Sequence, residues 1–196
     1  VDAFHHRHPL VTSNKTPQNE AQQKFYEDKV LVDMQACLNI LNNSAQQSKN
    51  DTWFLERKKR ITASKAHLLL HGKELKTREN YFRGPPVPFT NECMEYGIQM
   101  EPVAREKYIQ VTGNTVVETG LFVRSDQCWL SGSPDGLFLD GQNNLCVLEI
   151  KCPFKCKDKP IKYLQYLDNW GTLKCSHTYF TQVQLLMYVT GAKFAH

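Results

Sequence analysis

Hydrophobic residues in the first quarter of the chain recur at helical spacing. Phe25, Val30, Met34, Leu38 and Leu41 come round every three to five residues, which predicts one amphipathic helix over about 17–45. Thr16 is placed to cap it and Pro17 to occupy its first position. Residues 1–15, with the "HHRH" run at 5–8, show no period and read as a flexible terminus. The polar run "NNSAQQSKND" (42–51) predicts a linker. "WFLERKKRITASKAHLLLHG" (53–72) predicts a short helix, a break at Ile61-Thr62, and a second helix stopped by Gly72. Three prolines make "RGPPVPF" a loop, and Thr90 is placed to cap a helix running through Met94, Ile98, Val103 and Tyr108 to Gly113.

The texture then changes. "NTVVETGLFVRS", "CWLSGS", "GLFLD" and "LCVLEIK" are short β-rich runs separated by turn residues, with a hairpin loop at 140–144. After a Lys-rich loop, "SHTYFTQVQLLMYVTG" reads as a helix with Phe180, Val183, Leu186 and Met187 on one side, and "GAKFAH" as the start of a strand. Helices, a strand meander, a helix and a strand give an α/β (α+β) class. We expect a small central mixed sheet flanked by helices, with an extra N-terminal helix.

Composition narrows the picture only a little. The 196 residues suit one domain with a sizeable core, and 41% hydrophobic with 22% charged residues is ordinary for a globular chain. No apolar run approaches the roughly 18 residues of a membrane span, and the start is not signal-like. The missing initiator Met and the end inside a strand predict a piece of a longer protein. Seven cysteines, an odd number without a CxxC pair, point to reduced thiols in an intracellular compartment. Their spacing suits neither a zinc module nor an iron–sulfur cluster. The net charge of +4 is modest, but "ERKKR" (56–60) and "KCPFKCKDKPIK" (151–162) concentrate it. A solvated surface and a phosphate-contacting one both fit those runs.

The chemistry begins at "SPDGLFLDGQNNLCVLEIKCPF" (133–154). Side chains alternate along a strand, so Glu149 and Lys151 share one face and Leu148 and Ile150 the other. Alone, Glu-x-Lys reads as an ion pair. Asp135 changes that, because a hairpin through 140–144 returns the chain beside it. Two close carboxylates repel unless a cation separates them. Oxygen donors at this density suit Mg²⁺, with Mn²⁺ able to substitute. A carboxylate-held metal beside an ammonium suits phosphodiester hydrolysis.

Asp135 followed by Glu149-Ile150-Lys151 resembles the signature of the PD-(D/E)xK nuclease superfamily. "SPDG…LEIKCPF" is similar to its lambda-exonuclease and YqaJ-like viral recombinase family. So are Trp53, Arg57 and "ITAS" (61–64), "YGIQMEPVAREKY" (96–108) and "YFTQVQLLMYVTG" (179–191). The resemblance covers about 53–196 and leaves 1–52 as an N-terminal extension. It implies a restriction-endonuclease-like core. It implies Asp135, Glu149 and the Ile150 carbonyl as metal ligands, with Glu101 the helix-borne carboxylate. Lys151 is then the catalytic lysine. Gln182 lines the site, and Gln184 points elsewhere. Arg57, Ser64 and Ser133 become a pocket for a 5′ phosphate, and Lys58, Lys155 and Lys157 contact the DNA backbone. The implied activity is a Mg²⁺-dependent exonuclease on linear duplex DNA, acting 5′ to 3′ in recombination or end resection. A strand-annealing partner and a homotrimer are implied by the resemblance alone. The chain departs from the family pattern at Ser125, where a carboxylate is expected. Either the adjacent Asp126 substitutes through a bulge or the site lacks that group. The stretch between Lys151 and Gln182 is also longer than the family pattern. Two alternatives stay open: an endonuclease or nickase on the same core, and a non-catalytic DNA-binding remnant.

Overall fold

The computed structural model describes residues 19–71, 91–159 and 164–196. The expectations for 1–15, Thr16-Pro17, Gly72 and "RGPPVPF" lie outside those residues, and so does Thr90. The helix Thr90 was expected to cap is instead capped by Asn91 (Oδ1 to the Met94 N–H, 2.9 Å).

The predicted N-terminal helix is two helices. α1 (Glu20–Phe25) is capped by Asn19 and widens into a π turn over Tyr26–Val30, after which Leu31 is extended. α2 (Met34–Asn43) starts afresh from its own cap, Asp33, which accepts from the Ala36 N–H at 2.7 Å. The break frees two carbonyls that a continuous helix would consume. The Val30 carbonyl accepts from Arg60 at 3.1 Å and the Val32 carbonyl from the Cys128 thiol at 3.3 Å. It also resets the buried stripe. Val30, Cys37 and Ile40 are buried, whereas Phe25, Met34 and Leu38 of the predicted stripe are exposed.

The "linker" is also packed. Ser44 is wholly buried; its hydroxyl donates to the Ile40 carbonyl and accepts from the Leu121 N–H at 2.8 Å. Gln47 takes a left-handed φ of 47°. Its side-chain amide donates to the carbonyls of Thr119 and Pro134, both at 2.9 Å. Opposite, a Cβ on Gly120 would lie 2.0 Å from the Leu41 carbonyl oxygen, so only glycine fits there.

α3 (Asp51–Lys58) follows with Asn50 as cap, then β1 (Ile61–Thr62), a 3₁₀ turn (Ala63–Lys65) and α4 (Ala66–His71). Within the basic "ERKKR" run, Arg60 is a core residue rather than a solvated one. It is 1% exposed, donates to the Cys128 carbonyl at 2.8 Å, and pairs with Glu56. A fully partnered buried guanidinium of this kind ties the π turn, α3 and the sheet together.

α5 (Glu92–Thr112) ends at Gly113, whose φ of 72° supplies the left-handed stop. The strands are β2 (Phe122–Arg124), β3 (Gln127–Gly132), β4 (Gly136–Leu139) and β5 (Leu145–Leu148). α6 (Thr178–Thr190) and β6 (Phe194–Ala195) complete the fold. Among the described residues the strands form two small sheets of three strands each rather than one, ordered β1-β3-β2 and β4-β5-β6. Each is mixed. β3 pairs parallel with β1 and antiparallel with β2, and β5 pairs antiparallel with β4 and parallel with β6. α6 lies across both through Leu185, Leu186 and Val189, which pack with Ala63, Leu130 and Val147. On the opposite face of β5, Cys146 and Leu148 pack with Phe138, and Tyr108 of α5 covers them. No helix among the described residues is long and apolar enough to cross a membrane. All seven cysteines are free thiols.

Candidate active site

The "SPDG" turn joins β3 to β4, where β4 pairs with the far end of β5. Pro134 is fully buried. Gly136 is needed for close approach rather than for turn conformation, because a Cβ would come within 2.4 Å of Val116 Cγ1. β5 leaves its ladder after Leu148. The Glu149 N–H still bonds the His196 carbonyl at 3.0 Å, but the Ile150 N–H turns to Asp135 Oδ2 at 2.6 Å. Strand alternation places Leu148 and Ile150 against α5 and sends Glu149 and Lys151 to the α6 side.

Glu149 is almost sealed, its side chain 4% exposed. Oε1 is held by Lys151 and by the Gln182 amide from α6, while Oε2 is buried with no hydrogen-bond partner. The Lys151 ammonium also lies 4.9 Å from the Tyr179 ring centroid. From α5, Glu101 is held by Arg105 at 2.6 Å, and Arg105 reaches Glu118 at 2.8 Å.

The electrostatics show a surplus of negative charge. Burial, then the nearby Glu149 carboxylate, push Asp135 up to about 7. Burial also raises Glu149, against the pull of Lys151. Burial and the charge of Asp135 raise Glu101. For Lys151, burial opposes the charged form, but Glu149 and Asp135 outweigh it and hold the ammonium above its usual value. Among the described residues no three His, Cys, Asp or Glu side chains stand together as a ready metal site. Each carboxylate is turned onto a donor of the protein itself. The donor set nevertheless fits a hard cation: buried carboxylates that raise one another's pKa, one with an orphaned oxygen.

Arg57, Ser64 and Ser133 gather around Trp53. The Arg57 guanidinium lies 4.0 Å from the Trp53 ring centroid and donates to Ser64 Oγ at 3.0 Å. Trp53 Nε1 donates to Ser133 Oγ at 2.7 Å. Lys65 is close enough that burial and the charge of Arg57 lower its pKa. Two cations and three hydroxyl or indole groups make a setting for an anion. Lys155 and Lys157 are exposed around a short turn (Phe154–Cys156), outside the buried cluster, and Lys58 is exposed on α3. Asp126 is grasped by both Nε and Nη2 of Arg124, at 2.8 and 2.7 Å. The six residues of β3 separate it from Ser133, about 20 Å at the strand rise. Asp126 is thus engaged by Arg124 at the opposite end of β3 from the "SPDG" turn.

Four contributors went unassigned in the sequence. Arg105 had a signal, the Ala-Arg pair following Glu101. Trp53 had one too, sitting one helical turn before Arg57. Gln47 and Tyr179 had none, because their partners are distant in sequence.

The model of the YqaJ-like viral recombinase domain matches residues 52–193. The chain belongs to that family. Among solved structures, it is similar to an alkaline exonuclease (LHK-Exo) from Laribacter hongkongensis. Identity is 30% and the TM-score 0.54, over 75% of this chain and 74% of that one. The same enzyme in complex with dAMP matches at 28% identity and a TM-score of 0.58, with the same shares covered. The Shutoff and Exonuclease Protein of Kaposi's sarcoma-associated herpesvirus is 20% identical with a TM-score of 0.42, over 70% of this chain and 28% of its own. No curated protein is a significant match. The family model begins at residue 52, so α1, α2 and Gln47 precede the family domain.

Proposed function

We propose that this chain is a metal-dependent deoxyribonuclease, a 5′-to-3′ exonuclease on linear duplex DNA working in recombination or end resection. One observation carries the reading: the buried Asp135–Glu149 pair, with an unpartnered oxygen on Glu149 and Lys151 beside it. Asp135, Glu149 and the Ile150 carbonyl would hold Mg²⁺ or Mn²⁺, with Glu101 turned from Arg105 to join them. When bound, the ion supplies Lewis-acid polarisation of a phosphate and a more acidic water. The chain's own residues do the rest. Lys151 holds a donor beside the reacting phosphate and offsets its developing charge. Gln182 fixes the Glu149 carboxylate from α6. Arg57 forks onto the end phosphate while Ser64 and Ser133 add hydroxyl donors. The exposed Lys58, Lys155 and Lys157 contact the backbone without reading bases. The family membership extends the proposal to a strand-annealing partner and a homo-oligomer, a trimer by resemblance. It also extends to a setting in the nucleus, the cytoplasm or a virus-infected cell. Residues 53–196 form the nuclease domain, and 1–52 precede it.

The test uses end-labelled linear duplex and covalently closed circular DNA, each with and without Mg²⁺. The parent protein should shorten linear DNA from the 5′ end only with the metal, and spare the circle. Lys151→Ala should lose that activity while keeping its far-UV circular dichroism. Cleavage of the circle would move the reading to an endonuclease. An active Lys151→Ala would refute the site.

A further inference from the structure

Between the Lys-rich turn and α6, residues 165–174 form a small hairpin. Leu167 and Leu173 bridge antiparallel. The Asp168 N–H bonds the Thr172 carbonyl at 2.9 Å, and the Lys174 N–H bonds the Tyr166 carbonyl at 2.9 Å. Its tip is pinned twice over. Asp168 Oδ1 accepts from the Trp170 and Thr172 N–H groups, both at 2.8 Å, and Gly171 takes a φ of 80°. At that tip stands Trp170, 91% exposed, the barest large hydrophobic side chain among the described residues.

The stem leads back to the site. The Tyr166 ring centroid lies 5.2 Å from that of Tyr179 and 5.4 Å from that of His177, and Tyr179 is the ring beside the Lys151 ammonium. Burial, then Tyr179, Cys156 and Cys152, push the Tyr166 hydroxyl up to about 12, which sets the turn bearing Cys156 near the stem. Trp170 is four residues beyond Tyr166, a reach of at most about 13 Å. A flat apolar ring is thus held in water, on a stiff turn whose stem carries Lys174 and packs through Tyr166 on Tyr179, the ring beside Lys151. Binding a partner there costs little ordering, because the turn has already been fixed. Flat aromatic surface on a hairpin that also bears a lysine suits a nucleobase, whose face stacks while the positive charge meets its phosphate.

We propose that Trp170 is a stacking site for an unpaired base in a single-stranded tail at a DNA end. The proposal rests on the nuclease reading for the choice of ligand, and its test reads binding rather than cleavage. Without divalent metal, so that nothing is hydrolysed, affinities are measured for a blunt duplex and for the same duplex carrying a short tail with 2-aminopurine. The parent should bind the tailed DNA more tightly and quench the 2-aminopurine. Trp170→Ala should weaken tailed binding by about tenfold or more, leave blunt binding unchanged, and relieve the quenching. Trp170→Phe should restore most of both. Equal affinity of Trp170→Ala and parent for tailed DNA, or the same loss on blunt DNA, overturns the proposal. If Trp170→Ala behaves as expected while Lys151→Ala digests DNA like the parent, the catalytic assignment fails and the stacking site stands.

Discussion

Replacing Asp135 with Asn should stabilise the metal-free protein at neutral and alkaline pH. Asn keeps a carbonyl oxygen to accept from the Ile150 N–H, now received by Asp135 Oδ2 at 2.6 Å, but it carries no charge. The Asp135 pKa rises from 3.8 to about 7, chiefly through burial and then through Glu149. A folded-state pKa raised in this way favours the protonated form. Its stabilising contribution is therefore complete below the unfolded value and is lost as pH climbs from there through about 7. Three units at roughly 1.36 kcal/mol each set a ceiling of about 4 kcal/mol on the loss at pH 8. For a chain of this size that corresponds to a gap in melting temperature of up to roughly 15 °C. The assay is thermal unfolding of parent and Asp135→Asn across pH 4 to 8 in EDTA, repeated in Mg²⁺. In EDTA the variant should melt higher at pH 8, and the gap should close towards pH 4. In Mg²⁺ the parent alone should gain, by about 2.7 kcal/mol at a hundredfold excess over its dissociation constant. A parent as stable as the variant in EDTA at pH 8, or a gap independent of pH, would refute the charge surplus and with it the main argument for a cation.

Arg57→Ala should abolish the preference for 5′-phosphorylated over 5′-hydroxyl ends, measured as the ratio of digestion rates on the two substrates. A surviving preference places the phosphate elsewhere. Gln47→Ala removes both amide bonds to the Thr119 and Pro134 carbonyls and leaves them without their donor. It should lower kcat at least tenfold with little change in KM, and cost about 1–3 kcal/mol in denaturant titration. Unchanged kcat would mean the turn holds without it.

Much of this was legible along the chain because local pattern and global fold agree there. The 140–144 hairpin formed as its turn residues dictate, with Asp140 Oδ1 accepting from Gln142 and Asn144, and it returned Glu149 beside Asp135. Helical spacing set Gln182 of α6 on Glu149 and brought Glu101 of α5 within range of the Asp135 and Lys151 charges. The failures share a cause, which is a tertiary partner overriding a local period. Arg60 read as surface charge because two of its three carbonyl acceptors, those of Cys128 and Val30, belong to other parts of the fold. The first helix read as continuous because nothing in 17–45 reveals that the Val30 and Val32 carbonyls are wanted elsewhere. The polar run 42–51 read as a linker because Ser44 and Gln47 find their partners more than 70 residues away.

Those long-range bonds bear on why a DNA end should matter to this fold. Ser133 is tied to Trp53, and Pro134 to Gln47, so one short turn is gripped from both sides immediately before Asp135. Ser133 belongs to the anion pocket and Asp135 to the carboxylate cluster. They are two residues apart, at most about 7 Å along the backbone, which is on the order of a single nucleotide step along one strand. On the proposed reading, a terminal phosphate seated among Arg57, Ser64 and Ser133 would bring the first internal phosphodiester towards the carboxylates. An internal stretch of duplex has no free phosphate to seat. The same turn would thus set both the register of cleavage and the requirement for an end, and loosening it at Gln47 should blur the register before it unfolds the protein.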